Sequence, residues 1–273
     1  MKKGKLIGKG RTAEVYAWGE QRALKLYYPG YAADAIRREA EIGQIVREAG
    51  VAAPRVYELM EESGRRGLIY ERIPGSALAA MMRAHPRGLF KHAREMARLH
   101  HRIHSCSSTK LPRQKDKLEQ SIREGEGLLK ENTATICSYL HALPEGRQIC
   151  HGDLHPDNIL VTADDYVAVD WSNATIGDPL CDVARTSLIF LSPANLRDIS
   201  AIKAFLERQI RRWLNRAYIR EYCRLAKVSR ERVDVWILPV AAARLQEQVP
   251  GERKWLLRLI QRRMKSMAAA RAE

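Results

Sequence analysis

Two acidic residues and an amide lie around two short apolar runs in the middle of the chain. Asp153 and Asn158 stand five residues apart in the segment His-Gly-Asp-Leu-His-Pro-Asp-Asn. A run of β-forming residues follows, and the next such run ends at Asp170. A lone Asp in a turn usually forms the turn itself. This grouping of two Asp and one Asn instead indicates a chemical site.

Phosphoryl transfer needs side chains of these types. A carboxylate orients the attacking hydroxyl and accepts its proton, while oxygen ligands hold Mg²⁺ on the nucleotide phosphates. Asp153 and Asn158 on one loop, with Asp170 across a hairpin, supply that set. The spacing H-x-D-x-x-x-x-N followed by an Asp resembles the catalytic and metal loops of protein kinases.

Three linked motifs resemble one family more closely. The first begins at His151, the second is Asp170-Trp171, and the third reads Gly177-Asp-Pro-Leu-Cys-Asp-Val-Ala. In the aminoglycoside phosphotransferase and choline kinase family, HGDxHxxN, DW and GDPxxDxA occur in this order and at about these distances. This family is the small-molecule branch of the kinase-like fold, and the resemblance extends from the first strands to at least Ala184.

The resemblance implies a role for each matching residue. Asp153 would be the catalytic base, and His155 would lie beside the transferred phosphate. Asn158 would complete this catalytic set and, with Asp170, would be a metal ligand. We therefore expect ATP and Mg²⁺ as cofactors and a small-molecule hydroxyl as acceptor.

The N-terminal residues agree with a nucleotide site. The loop with Gly8 and Gly10 sits between strands and could lay backbone N–H groups over phosphates, although a glycine pair in a hairpin is usually only a turn. Lys25 faces opposite to its apolar neighbours in a strand, as a cation for the phosphates must. On the following helix Glu39 is the favoured partner for Lys25, and Glu41 is the rival.

Pro74-Gly75 interrupts the pattern and suggests a hinge between two lobes. By the resemblance, adenine would bind the backbone of Glu71 and Ile73 at this hinge. A solvated linker is the alternative, because side-chain identity does not separate the two readings.

Alternation and helical spacing predict the surrounding elements. The N-terminal part reads as three strands, a helix and two more strands, at 5–9, 14–18, 22–27, 33–49, 55–60 and 67–71. Beyond the hinge, helical spacing covers 89–104, 114–125, 128–143, 179–191, 196–225, 230–249 and 252–267, with short apolar runs at 159–161 and 166–169.

We therefore expect an α+β, protein-kinase-like two-lobe fold. Residues 1–73 would form a nucleotide-binding lobe, a small antiparallel sheet with one helix. Residues 74–273 would form a larger, mostly helical catalytic and substrate-binding lobe.

Other histidines and one more Asp admit structural readings. His151 and Asp182 would brace the catalytic loop by the resemblance, although a purely structural role is as well supported. His100, His101 and His104 have helical spacing that mimics a metal pair. No third ligand with suitable spacing accompanies them in the sequence, so we expect packing.

Charge and cysteine content limit the partners. The net charge is +15, and residues 183–273 alone carry 20 basic and 8 acidic residues, or +12. No apolar run suits a signal peptide or a membrane span, and five widely spaced cysteines suggest buried thiols in a reducing compartment. We expect a cytoplasmic protein without membrane insertion; the oligomeric state cannot be read from the sequence.

A protein kinase is disfavoured, because about seven residues separate Asp170 from the Gly-Asp-Pro motif and leave no room for an activation segment. A catalytically weak nucleotide-binding or nucleic-acid-binding module would use the basic C-terminal helices, but aromatic residues do not interleave with the cations, so nucleic acid is unlikely. The same basic charge favours a neutral or anionic acceptor, such as a sugar or polyol, over a polycationic aminoglycoside, although Glu119, Glu124, Glu126 and Glu131 could line a pocket.

Overall fold

A computed structural model describes residues 3–194, 196 and 199–272 of the chain. These residues form two compact units. The first runs to Ala84 and also contains Pro156–Ala174, and the second contains His85–His155 and the residues from Thr175 onward. None of the helices in the described part of the chain combines the length and the apolar composition needed to cross a bilayer.

The strands, in chain order, are β1 (Lys3–Lys9), β2 (Ala13–Trp18), β3 (Arg22–Tyr27), β4 (Val56–Glu62), β5 (Arg65–Glu71), β6 (Ser76–Ala77), β7 (Gln148–Cys150), β8 (Ile159–Val161), β9 (Tyr166–Ala168) and β10 (Thr175–Gly177). The helices are α1 (Ala33–Glu48), α2 (Leu78–Ala84), α3 (Leu89–Ile103), α4 (Gln114–Glu124), α5 (Glu126–Leu129), α6 (Asn132–Ala142), α7 (Pro179–Leu191), α8 (Ala201–Ala226), α9 (Arg230–Asp234), α10 (Ile237–Arg244) and α11 (Arg253–Ala272).

The first unit is built on a five-stranded antiparallel sheet of order β1-β2-β3-β5-β4. Successive side chains of a strand point to opposite faces, so β3 divides its residues between two cores. Leu24 and Leu26 pack with Ile69 on one face. Tyr27 packs with Ile36 of α1 on the other face. Lys25 follows the same alternation and lies on the face that carries α1.

A second, smaller sheet explains why Pro156–Ala174 belongs to the first unit. Strand β8 pairs with β6 on one side and with β9 on the other. Gly75 precedes β6, and a Cβ added there would lie 2.6 Å from the Val161 carbonyl oxygen, so the close strand approach requires glycine. The compact first unit extends to Ala84 and includes the β8–β9 hairpin. The lobe boundary between residues 73 and 74 therefore stays a prediction.

The second unit is mainly helical. Helix α8 packs against α3 and α7, and α10 packs against α4, α7 and α11. Trp236 and Tyr218 are among the largest fully buried side chains. Strands β7 and β10, which the sequence patterns did not predict, pair with each other in antiparallel register.

Three of the predicted helices differ in the structure. The helix predicted at 128–143 is divided, because Lys130 adopts a positive φ of 53° after α5. The helix predicted at 230–249 is also divided. Pro239 has no N–H to donate to the Val235 carbonyl, and the Tyr139 hydroxyl donates to that carbonyl instead, at 3.1 Å. The helix predicted from residue 196 begins at Ala201, where Ser200 caps it by accepting from the Lys203 N–H; 195, 197 and 198 lie outside the described residues.

Candidate active site

Lys25 forms a buried ion-pair cluster in the first unit. Its Nζ donates to Glu39 Oε1 at 2.7 Å and to Asp170 Oδ1 at 3.1 Å. The Tyr70 hydroxyl donates to the same Glu39 oxygen at 2.7 Å, and only 4% of the Glu39 side chain is exposed. Burial lowers the pKa of Lys25, but the charges of Asp170 and Glu39 outweigh it and raise that pKa above its ordinary value. The cation is therefore fixed in place, and Glu39, not Glu41, is its partner on α1.

Asp170 and Asn158 lie at the two ends of the β8–β9 hairpin. The Asn158 carbonyl accepts from the Val169 N–H at 2.9 Å, which joins the residue before β8 to the residue before Asp170. Asp170 adopts a positive φ of 65°, an uncommon conformation for a residue other than glycine. Ser172 Oγ donates to Asp170 Oδ1 at 3.1 Å. The hairpin thus supplies a carboxylate and an amide oxygen, both donors that suit Mg²⁺.

The loop that follows β7 in the second unit, residues 151–155, is here called the catalytic loop, and Asp182 of α7 holds it in place. The backbone N–H groups of His151 and Gly152 donate to the two Asp182 oxygens at 2.5 and 3.0 Å. Gly152 has a positive φ of 76°, which glycine adopts without strain. This geometry agrees with the bracing that the resemblance implied for Asp182.

Asp182 also accepts from two buried histidines of α3. His100 Nε2 lies 3.0 Å and His104 Nε2 3.3 Å from Asp182 Oδ2. The other ring nitrogen of each contacts a tyrosine hydroxyl of α8 at 2.6 Å, Tyr218 for His100 and Tyr222 for His104. Burial and the neighbouring His100 lower the pKa of His104 to about 4.

The third partner of the two histidines was not apparent in the sequence, because Asp182 lies about eighty residues further along the chain. These three residues could geometrically hold a metal ion. Each of them also has hydrogen-bond partners in the protein. These hydrogen bonds explain the burial of the three residues without a metal ion, because they connect α3 and α8 to the catalytic loop.

The Asp153 carboxylate contacts two basic side chains within the second unit, Arg185 and His155. Arg185 Nη2 donates to Asp153 Oδ1 at 3.1 Å, and His155 Nε2 lies 3.6 Å from Asp153 Oδ2. Burial raises the pKa of the Asp153 carboxyl, but the His155 contact and the Arg185 charge outweigh it and place that pKa below its ordinary value. Asp153 is therefore an ionised carboxylate at neutral pH.

Arg185 is the main site residue that sequence reasoning missed. It follows Asp182 by three residues, which is about one turn of α7, so both side chains can reach the catalytic loop. Its other terminal nitrogen, Nη1, donates to Glu247 Oε1 at 2.5 Å. Glu247 in turn accepts from Arg244 at 3.0 Å. The helical spacing after the third motif was the available signal, but the partner Glu247 could not be foreseen.

The remaining predicted site residues lie in the first unit. Gly8 pairs with Val15 in the β1–β2 ladder, and the Gly10 N–H donates to the Ala13 carbonyl at 2.9 Å and closes the turn. Glu71 ends β5, where its side chain accepts from the Arg55 N–H at 3.1 Å. Ile73 is half-buried in the segment that follows. Their roles in nucleotide binding stay predictions.

Comparison with known proteins decides the family. The family model described as the phosphotransferase enzyme family matches residues 3–225. The chain belongs to this phosphotransferase family. The predictions of the family, of a phosphotransferase enzyme and of a hydroxyl acceptor are thereby confirmed. No curated protein sequence is similar enough to this phosphotransferase to count as a relative.

Solved structures of low sequence identity share the fold. A thermostable mutant of aminoglycoside phosphotransferase APH(4)-Ia, apo form, is 16% identical with a TM-score of 0.66, covering 98% of this chain and 95% of its own. Choline kinase from Cryptosporidium parvum is 13% identical with a TM-score of 0.61, covering 97% and 90%. Aminoglycoside phosphotransferase APH(3'')-Id from Streptomyces rimosus is 17% identical with a TM-score of 0.55, covering 89% and 92%. The predicted protein-kinase-like fold is therefore confirmed.

Proposed function

We propose that this phosphotransferase is an ATP-dependent, Mg²⁺-requiring kinase that phosphorylates a hydroxyl group of a neutral or anionic small molecule. The observation that carries the proposal is the Lys25 ion pair with Glu39. A buried lysine fixed by a helix glutamate is the arrangement that kinases need to hold the nucleotide phosphates. ATP as donor is supported further by a structural neighbour that was crystallised with AMP-PNP and hygromycin B.

Lys25 and the Gly8–Gly10 turn would bind the phosphates of ATP. Glu39 keeps the Lys25 ammonium in one position and charged, so little reorganisation is needed when the phosphates arrive. Tyr70 limits the movement of Glu39 through its hydrogen bond. The backbone of Glu71 and Ile73 would receive the adenine ring.

The residues that would hold Mg²⁺ are Asn158 and Asp170. Their oxygens are hard donors of the type that Mg²⁺ prefers, and the Asp170 side chain is 41% exposed and so accessible to an ion that retains water ligands. When bound, the ion neutralises charge that develops on the phosphate oxygens during transfer.

Asp153 would orient the acceptor hydroxyl and accept its proton as the new oxygen–phosphorus bond forms and the bond from the γ-phosphorus to the bridging oxygen breaks, which releases ADP. An ionised carboxylate is required for this role, and the contacts with Arg185 and His155 keep Asp153 ionised. They also restrict its rotation, which favours an in-line attack on the terminal phosphate. His155, as the second polar group of the loop, would stabilise the transferred phosphate.

The acceptor class is argued from charge. A polycationic acceptor needs several carboxylates that are free to receive it. Glu119, one candidate, already accepts from Arg123 at 2.6 Å and contacts His141 at 2.7 Å. The last third of the chain carries +12. Both observations support a sugar, a polyol or a phosphorylated or carboxylated metabolite.

A cytoplasmic location is also part of the proposal. All five cysteines are free thiols, as a reducing compartment would keep them. ATP is abundant in that compartment, which suits the proposed donor.

An acceptor screen with ADP release as the signal tests the function. The purified enzyme, ATP and Mg²⁺ are incubated with matched sets of neutral sugars and polyols, anionic metabolites, and kanamycin-like amines. We expect ADP release to rise above the acceptor-free rate only in the first two sets. Fast turnover of the amines would contradict the proposed acceptor class and leave the kinase activity standing. A Lys25→Met variant serves as the negative control, and Lys203→Met, a solvent-exposed lysine, is the matched control that should keep full activity.

A further inference from the structure

Helix α8 exposes an apolar face to solvent at its N-terminal half. The exposed fractions are 75% for Ile202, 58% for Phe205, 54% for Leu206 and 50% for Trp213. These four side chains are spaced by one to seven residues, so the helical period places them on one side of the first turns. We name these four residues the α8 outer face.

The opposite side of α8 explains why the outer face is not part of the core. Ala204, Leu214 and Tyr218 are buried, and the helix packs against α3 and α7. Exposed apolar side chains scattered singly need no explanation, but a contiguous group of large ones marks an interaction site.

An open groove extends the apolar surface beside the helix. It has a volume of about 400 Å³, and its apolar lining includes Leu196, Ile199, Leu206 and Ile210. Leu206 therefore belongs both to the outer face and to the groove wall. The apolar area is thus wider than one helical stripe.

Exposed cations surround the outer face along the same helix. They are Lys203, Arg208, Arg212, Arg216 and Arg220. Among the described residues, the two acidic side chains adjacent to this set in sequence are already paired, Glu207 with Arg211 at 2.9 Å and Glu221 with Arg224 at 2.9 Å. The helix therefore presents an apolar stripe bordered by positive charge.

We propose that the α8 outer face docks this enzyme peripherally on an anionic lipid bilayer. An amphipathic helix that lies in the plane of a membrane has this composition, with Trp, Phe and Leu toward the acyl chains and Arg or Lys among the headgroups. Juxtaposed cations add electrostatic attraction to anionic lipids. The helix lies on the surface, and no segment needs to cross the bilayer.

Charge argues against the other occupants. A second copy of this chain would bring two clusters of five cations face to face, and like charges disfavour that contact. A nucleic acid would engage the cations but would leave the apolar side chains Ile202 and Leu206 in water. Of these three occupants, an anionic lipid surface alone satisfies both the charge and the apolar area.

Cosedimentation of the full-length enzyme with vesicles tests the proposal. Vesicles of phosphatidylcholine mixed with phosphatidylglycerol are compared with vesicles of phosphatidylcholine alone. We expect the wild type to pellet with the anionic vesicles and not with the neutral ones. The double variant Phe205→Ser, Leu206→Ser should lower the partition coefficient by about tenfold or more, because apolar burial drives the insertion. The double variant Arg212→Gln, Arg216→Gln should lower it by a similar factor.

Matched controls distinguish binding by the α8 outer face from effects of net charge and of nonspecific apolar contact. Lys254→Gln with Arg258→Gln removes the same charge from exposed positions of α11, and Leu59→Ser removes an exposed apolar side chain of β4. Both controls should bind the anionic vesicles as the wild type does, and all variants should keep ADP release.

Three results would overturn the proposal. The first is a wild type that stays in the supernatant with anionic vesicles. The second is binding that the α11 control weakens as much as the α8 variants do. The third is a concentration-dependent dimer of the wild type, measured by light scattering, that the Phe205→Ser, Leu206→Ser variant does not form. Such a result would mean that a second copy of the chain covers this face.

Discussion

Replacing Arg185 by Met removes the cation that links Asp153 to Glu247. The two carboxylates are partly buried, with 26% and 27% of their side chains exposed. At an effective dielectric constant of about 20, unit charges about 3 Å apart interact by about 5.5 kcal/mol. Removing one partner of a buried pair costs about 3–5 kcal/mol, because the remaining charge lacks compensation. Since both carboxylates retain some solvent contact, we expect a loss of about 3 kcal/mol in the free energy of unfolding.

The same variant should change how activity depends on pH. The His155 contact and the Arg185 charge together hold the pKa of Asp153 down against burial, so removal of Arg185 raises that pKa. An opposite charge at this range shifts a carboxyl pKa by about 1–3 units. The sign follows from linkage: stability from the lowered Asp153 pKa is present above the unfolded value and is lost as pH falls through the folded value. Because a protonated Asp153 cannot accept the hydroxyl proton, the acid limb of kcat/KM follows this pKa and should move up by about 1–3 pH units in the variant.

Two measurements on one set of variants check this prediction. Urea unfolding gives the free energy, and ADP release across the pH range with the best acceptor gives the acid limb. Arg185→Lys keeps the charge and should shift the limb less. Arg98→Met, on a helix away from the loop, is the matched control. Arg98 is 45% exposed, and its partner Glu221 keeps a second ion pair with Arg224 at 2.9 Å, so we expect a loss below about 1 kcal/mol. An Arg185→Met enzyme with the wild-type acid limb and stability would refute the reasoning.

Three further predictions concern other groups of the two units. Glu39→Gln should weaken ATP binding, measured with a fluorescent ATP analogue, because Lys25 loses its charged partner; unchanged affinity would show that Lys25 is fixed by other contacts. Asp170→Ala should raise the Mg²⁺ concentration needed for half-maximal activity, and an unaltered Mg²⁺ titration would contradict its assignment as a ligand. His104 has a pKa of about 4 in the fold, so the free energy of unfolding should fall as pH drops from about 6.5 to about 4, where only the unfolded state binds the proton; His104→Leu should flatten this slope, and an equal slope in both proteins would assign it to another group.

Local sequence patterns were sufficient for several of the elements that carry the site, although not for β7. Alternation in 22–27 predicted β3 with its bounds as observed, and helical spacing over 179–191 predicted α7 with its bounds as observed. Glu39 was favoured over Glu41 as the partner of Lys25, and the structure pairs Glu39 with Lys25. These predictions succeeded because period and capping depend on neighbouring residues only.

Contacts between distant residues were not predictable in this way. The partner of Arg185 is Glu247, 62 positions further on, and no local spacing relates the two. The Val235 carbonyl, to which Pro239 cannot donate, accepts instead from the Tyr139 hydroxyl, about a hundred residues earlier in the chain. Such features depend on tertiary packing, and one sequence carries no pairwise signal for them.

The most direct test of the central claim is γ-phosphate transfer by Asp153→Asn. The substitution keeps the shape of the side chain and removes its capacity to accept a proton, while Lys25, Glu39 and Asp170 are unchanged. With ATP labelled at the γ-phosphate and the best acceptor from the screen, we expect transfer to fall by about 10²–10⁴-fold with ATP affinity within about twofold of the wild type. Transfer at the wild-type rate would contradict the account, because the acceptor hydroxyl would then be activated by another group.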